Sequence, residues 1–528
     1  MCDTESYIYM PLLEELNYMP KHKYSYGPEL RKHADNIASH YHLKDKTLLQ
    51  AKITSADWDD ARGEYICVIE SLRKGQEGKK VSARARYVLI AGGTVNWPKL
   101  PKLEGFDKYK GDTFHTSRWN YKVTGGNEEK PDMYKLKDKV VGIIGTGATA
   151  IQVVPELSRW AKQVIVFQRT PSAVDTRGQR ETDPVWWEQY TKGRKGWQDE
   201  RMTNFACFMT NTNLEQHPKE NMVGDGWTTF PSYAGVVGNE AAPENPADTE
   251  AYVMKMVAMD LERAEQIRAR VDDVVKDKET AQKLKPYYPG WCKRPCFHDE
   301  YLQSFNKPNV TLIDTDGKGL HSMTENGPVF EGKEYPVDVL VLSTGYEIPI
   351  GSTPAERLGM QVTGQNGTTF NTKWADGVKT LHAVQTNGLP NFFLLGLAQA
   401  GGSPNQLATV DELAKHIAFI ISKAVSEHGV RDLVIQPNPE AEDAYTEKIV
   451  AGAHTYSTMG ICPPSYFNGE GDLFELARQG GVEMQKRLQM GSGWSKGLNS
   501  FKAMLDAWRK DQPLKDFDIR VVPAMSKL

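Results

Sequence analysis

The chain has 528 residues, with 64 Lys and Arg against 68 Asp and Glu, for a formal net charge of −4. That length predicts two or three domains, and hydrophobic and charged fractions of 39% and 25% are ordinary for a globular protein. There is no basic field for nucleic acid and no apolar run of the roughly 18 residues that would span a bilayer, so small molecules are the expected partners.

The sequence opens on Met1-Cys2-Asp3-Thr4 and an aromatic stretch, Ser6-Tyr7-Ile8-Tyr9-Met10, without the pattern of a secretory signal. Six cysteines in so long a chain make no disulfide framework, so thiols and a reducing compartment, the cytoplasm, are expected. Cys292 and Cys296, with His298 nearby, lack a second ligand pair, and no metal is expected.

Three short apolar runs read as buried parallel strands. The first is Tyr87–Gly93, and the aromatic-rich connection Tyr109–Trp119 follows it. The second, Lys139–Gly145, runs into Gly145-Thr146-Gly147-Ala148-Thr149-Ala150-Ile151-Gln152, a G-x-G-x-x-G/A pattern that opens a helix over 151–162. Glycines there permit a tight turn and let backbone amides approach a pyrophosphate, at a helix N-terminus that is partly positive. The next strand, Val164–Phe167, ends in Gln168-Arg169-Thr170. NAD sites carry a carboxylate at this point; a guanidinium instead can grip a 2′-phosphate, which favours NADPH. Residues 183–285 read as a helical insertion, amphipathic from about 250. The third run is Val337–Gly345, and a last long helix is predicted over 405–427. Strands alternating with helices give an α/β protein with a doubly wound sheet.

The segment Tyr109 to Trp119 is similar to the F-x-G-x-x-x-H-x-x-x-W fingerprint of Baeyer–Villiger monooxygenases. Gly111, His115 and Trp119 stand at the right spacing, Tyr109 replaces the Phe, and Asn120 follows the Trp. Cys2–Ser6 resembles the stretch after the family's flavin-binding elements. Trp291–Pro295 resembles its catalytic Lys-Arg pair, and Asp338–Gly345 its late FAD-domain strand and turn. Gly460–Asn468 looks like the active-site loop of the fungal branch that acts on bulky ketones.

The resemblance implies a flavoprotein with two dinucleotide-binding domains, doubly wound Rossmann-like sheets and a helical insertion. Its FAD-binding part would be 1–134, its NADPH-binding part 135–335 with the insertion at about 183–285, and 336–528 would return to the FAD side and the active site. It implies insertion of one atom of O2 beside a ketone carbonyl, using FAD and NADPH, on a bulky or polycyclic ketone of fungal secondary metabolism. Arg294 would stabilise the negative charge that develops during oxygen transfer, and Asp3 would orient it. Met1, Cys2 and Asp3 would approach the nicotinamide cofactor, and Asp3, Thr4 and Tyr9 the flavin. Residues 145–152, Arg169, Thr170 and Lys293 would hold NADPH, with His115 and Trp119 in the domain connection. The family's FAD-phosphate loop lies upstream of the Asp3 segment, so Met1 is expected to be an internal methionine of a longer chain. The competing expectations are an N- or S-oxidising flavin monooxygenase and a catalytically silent nucleotide-binding remnant.

Overall fold

The computed structural model describes residues 3–93, 95–242, 244–347, 351–396, 398–511 and 514–522. Seven parallel strands position the site: β1 (Val88–Ile90), β2 (Asp112–His115), β3 (Val140–Ile144), β4 (Gln163–Gln168), β5 (Val310–Asp314), β6 (Val339–Leu342) and β7 (Phe392–Leu394). Five of them form one all-parallel sheet in the order β5-β4-β3-β6-β2. All-parallel sheets are covered on both faces, and the strands accordingly read as continuous apolar runs. Val141, Ile143, Val164, Val166, Leu340 and Val341 are fully buried. Helix α1 (Ala150–Trp160) crosses one face and buries Ala150, Ile151, Val154 and Leu157, a three- and four-residue spacing that puts one stripe against β3 and β4.

The structure corrects one expectation about these strands. The run around Val339–Leu342 was expected to return to a flavin-side sheet. It lies instead inside the sheet of the glycine loop, with Val339 opposite Val141 on one side and opposite Asp112 on the other. An apolar run states that a strand is interior but not which strands flank it. Among the described residues, β1 pairs in parallel with β7 alone, as a separate two-stranded sheet.

The region 183–285 is helical, as its composition predicts. It holds Pro184–Thr191, Trp197–Thr210, Ala234–Val237, the 26-residue α2 (Thr249–Val274) and Lys278–Leu284. The late helix α3 spans Gln406–His428. No helix among the described residues is long and apolar enough to cross a membrane.

Candidate active site

The glycine loop sits at the carboxyl end of β3, between the ends of β4 and β6. Gly145 has φ +104°, and a Cβ there would lie 2.4 Å from the Ser343 carbonyl oxygen, so only glycine fits. The loop is tied down from behind. Gly145 N donates to Phe167 O (3.0 Å), Thr146 Oγ1 to Thr170 O (2.9 Å) and Ser172 Oγ to Thr146 O (2.5 Å). Its front is open: a Cβ on Gly147 would meet nothing within 4 Å. The amides of Gly147, Ala148 and Thr149 find no acceptor among the described residues, and Thr149, which precedes α1, makes no side-chain cap. Unpaired amides over open space at a helix N-terminus fit a pyrophosphate. Gln152 Nε2 reaches back to Ala148 O (2.6 Å) and braces the turn. The other parallel pair also ends in glycines: Gly93, after β1, has φ +73°, and a Cβ on Gly396, after β7, would meet nothing within 4 Å. Space beyond the carboxyl ends of parallel strands is where such sheets receive cofactors, so a second dinucleotide fits there.

Beside the loop, Arg169 at the end of β4 is half-exposed and donates from Nη2 to Glu470 Oε2 at 2.9 Å. Lys99 Nζ lies 3.3 Å from the other oxygen of the same carboxylate. Lys293 donates to Pro464 O at 2.9 Å. Burial, together with the neighbouring Arg169 charge, pulls the Lys293 ammonium down to about 8. Thr170 contributes its carbonyl to the loop rather than its side chain.

Arg294, the next residue, meets Asp3 across 291 positions of sequence. Nε and Nη2 donate to the two carboxylate oxygens at 2.9 and 2.7 Å, a forked pair. The guanidinium carbon lies 5.2 Å from the centre of the Trp227 ring, whose indole N–H donates to Asp3 O at 3.0 Å. The fork keeps 26% of its side-chain exposure and Asp3 keeps 16%, so the pair borders solvent instead of being sealed. No described residue accepts from Nη1, which leaves donors for a further anion. Burial alone would lower the Arg294 pKa, but Asp3 holds it well above its ordinary value, so the charge is permanent. Tyr233 is pushed up to about 12, chiefly by burial. Thr4 is buried, and Tyr9 ends the short helix Ser6–Tyr9 half-buried. Met1 and Cys2 lie outside the described residues.

The fingerprint residues build a joint rather than a reaction centre. Tyr109 Oη donates to Val337 O (2.9 Å), and a Cβ on Gly111 would lie 2.2 Å from that hydroxyl and 2.8 Å from Asp338 O. His115 is buried with Nδ1 2.8 Å from Ser117 Oγ, and burial lowers its pKa. Trp119 donates to Thr124 Oγ1 and stands edge-on to Phe114.

One expectation fails outright. Cys292 is not a thiol: it forms a disulfide with Cys462, 170 positions away, joining the Lys293-Arg294 segment to the loop over 460–471. Neither residue's surroundings in sequence mark the pairing, because the fold alone brings them to a Cα separation of 5.1 Å. Cys296 is a buried free thiol, raised to about 12 by burial and hence unreactive. Sequence reasoning also missed Trp227, Lys99 and Glu470. Only Glu470 had a local signal, since it sits between two glycines just past the loop already singled out.

A family model described as flavin-binding monooxygenase-like matches residues 5–194. Over 528 residues the chain is 44% identical to the polycyclic ketone monooxygenase of Thermothelomyces thermophilus, covering 98% of this chain and 79% of that protein. A solved polycyclic ketone monooxygenase from the thermophilic fungus Thermothelomyces thermophila matches with a TM-score of 0.93 at 43% identity, over 99% of this chain and 81% of the other. The chain is 41% identical to the FAD-binding monooxygenase ausC of Aspergillus calidoustus, covering 98% of this chain and 77% of the relative. It is also 41% identical to the Baeyer–Villiger monooxygenase ATR8 of Stachybotrys chlorohalonatus, covering 98% and 78%.

Proposed function

The chain belongs to the family of Baeyer–Villiger monooxygenases, and from that premise we propose that oxygen transfer takes place beside Arg294. The enzyme uses FAD and NADPH to convert a ketone, O2, NADPH and a proton into an ester or lactone, water and NADP+. A bulky or polycyclic ketone is the proposed substrate, and the relative named for that class supports it. FAD, when bound, supplies the electron storage and the activation of O2 that no side chain provides.

The protein's own contribution is binding and charge. The open amides of residues 147–149 and the N-terminus of α1 receive the NADPH pyrophosphate, with Gly145, Thr146 and Ala150 to Gln152 shaping that turn. Arg169 and Lys293 attract the 2′-phosphate, beside Thr170. Asp3, Thr4 and Tyr9 face the flavin. The domain reading follows the same division, with 1–134 and 336–528 serving FAD and 135–335 serving NADPH, although β2 and β6 share the NADPH-side sheet. Asp3 holds two donors of Arg294 and fixes the plane of its fork. The remaining donors would stabilise the negative charge that develops on oxygen as an oxygen atom is passed to the ketone carbonyl carbon.

The Arg294–Asp3 pair carries this reading. Arg294→Ala should retain NADPH binding and NADPH consumption while ester formation falls by about 10²-fold or more, with hydrogen peroxide in its place. Arg294→Lys should restore little, because an ammonium lacks the planar fork. Near-normal ester formation by Arg294→Ala would sink the assignment.

A further inference from the structure

Glu470 occupies the Arg169 guanidinium, which the proposed function gives to a phosphate. Its two oxygens pair with Arg169 (2.9 Å) and Lys99 (3.3 Å), and Lys293 holds the same loop through Pro464 O. It reaches Arg169 from 301 positions along the chain. The carboxylate stands on an unusual turn in which Gly469, Glu470 and Gly471 have φ of 58°, 61° and 98°. A glutamate in the left-handed region is strained and persists only where its surroundings hold it. Here Glu470 N donates to Ser465 O (2.8 Å), and Asn468 Oδ1 accepts from both Ser465 N (2.8 Å) and Gly471 N (3.1 Å). Burial would raise the Glu470 pKa, yet Arg169 and Lys99 hold it below the usual range, so the group is an anion. At this position in the fold, after the second strand of the nucleotide unit, an ordinary NAD site would have a carboxylate of its own. This chain has a guanidinium there and brings the carboxylate in from a distant loop.

We propose that Glu470 is an internal substitute for the 2′-phosphate of NADPH, holding Arg169 and Lys99 until the phosphate takes them. The proposal rests on the reading of Arg169 as the 2′-phosphate partner. The exchange replaces one anion by another of greater charge, so the cations are never left unpaired and the released carboxylate passes into solvent. NADH has only a hydroxyl at that point and cannot displace a carboxylate from two cations. Glu470 is therefore a specificity-determining residue: it weakens NADPH binding somewhat and makes release of its loop depend on the phosphate. The loop stays anchored at Cys292–Cys462, so only its far end is freed.

The test is calorimetric titration of the 528-residue chain with 2′,5′-ADP, NADP+ and NAD+, in wild type, Glu470→Gln, Arg169→Ala and the double variant. Glu470→Gln should bind 2′,5′-ADP and NADP+ about three- to tenfold tighter, the scale of two partly exposed ion pairs, with NAD+ unmoved. The gain should largely vanish in the Arg169→Ala background. If Glu470→Gln gains nothing while Arg169→Ala alone loses roughly tenfold or more for 2′,5′-ADP, the substitution is overturned and the Arg169 reading stands. A gain that persists in full without Arg169 also overturns it. If Arg169→Ala weakens NADP+ and NAD+ equally, both fall together.

Discussion

Lys293 and Arg294 are neighbours in sequence with opposite electrostatic fates. Burial works against the charge of each. Among the described residues no carboxylate is in direct contact with Lys293, which faces Arg169 and comes down to about 8, whereas Arg294 is paired with Asp3 and goes up. The sign for cofactor binding follows. Below pH 8 Lys293 is cationic and adds to the attraction for a 2′-phosphate; as pH rises through 8 that charge is lost. NADPH affinity should therefore fall between pH 7 and 9 while NADH affinity changes much less, and Lys293→Arg should flatten the NADPH curve. Parallel curves for the two cofactors in titrations across that range would take Lys293 out of the phosphate site. At this scale Arg169 and the glycines carry a local signal, whereas Arg294 stands out only through the resemblance of Trp291–Pro295 to the family's Lys-Arg pair. Trp227, which flanks both members of the Asp3–Arg294 pair, carries none, because an indole inside an aromatic-rich insertion looks like core.

Among the elements, the strand–loop–helix over 140–160 was readable because its logic is local: an apolar run, glycines, then a helix with one apolar stripe. Partnership between strands was not. The central place of β6 depends on Asp112–His115 and Val140–Ile144 arriving on either side of it, and nothing within Val339–Leu342 encodes that. The joint at Gly111 follows from the same arrangement, since the glycine is pressed against Asp338 O just before β6. Gly111→Ala should cost about 1–3 kcal/mol, the scale of forcing a methyl into filled space. Tyr109→Ala removes both the hydroxyl and the ring carbon that the new methyl would strike, at 2.2 and 2.4 Å, so the double variant should be less destabilised than the sum of the singles. Urea midpoints of the four proteins measure this; strict additivity would mean that the Tyr109 ring is not the obstacle.

At the scale of the whole molecule, the disulfide links parts that the sheets alone do not. The segment from Cys292 to Cys462 contains β5 and β6 of the five-stranded sheet, β7 of the two-stranded one and helix α3. Closing so long a loop lowers the entropy of the unfolded chain by an amount equivalent to about 5 kcal/mol in the chain-entropy account. Cys462→Ser should therefore lower the unfolding midpoint and loosen the loop that carries Glu470. An unchanged midpoint would show that the loop is held by its other contacts.

The same bond gives the polypeptide a property of covalent connectivity: from Cys292 to Cys462 it is a ring, with the two ends of the chain as tails. Exposed turns such as Glu331-Gly332-Lys333 lie on that ring. A trypsin cut after Lys333 should open the ring without dividing the molecule. Denaturing electrophoresis should then show a single full-mass species until a thiol reductant is added, and two fragments afterwards. A cut in a tail, for instance in the exposed stretch over 72–80, should release its piece at once with or without reductant.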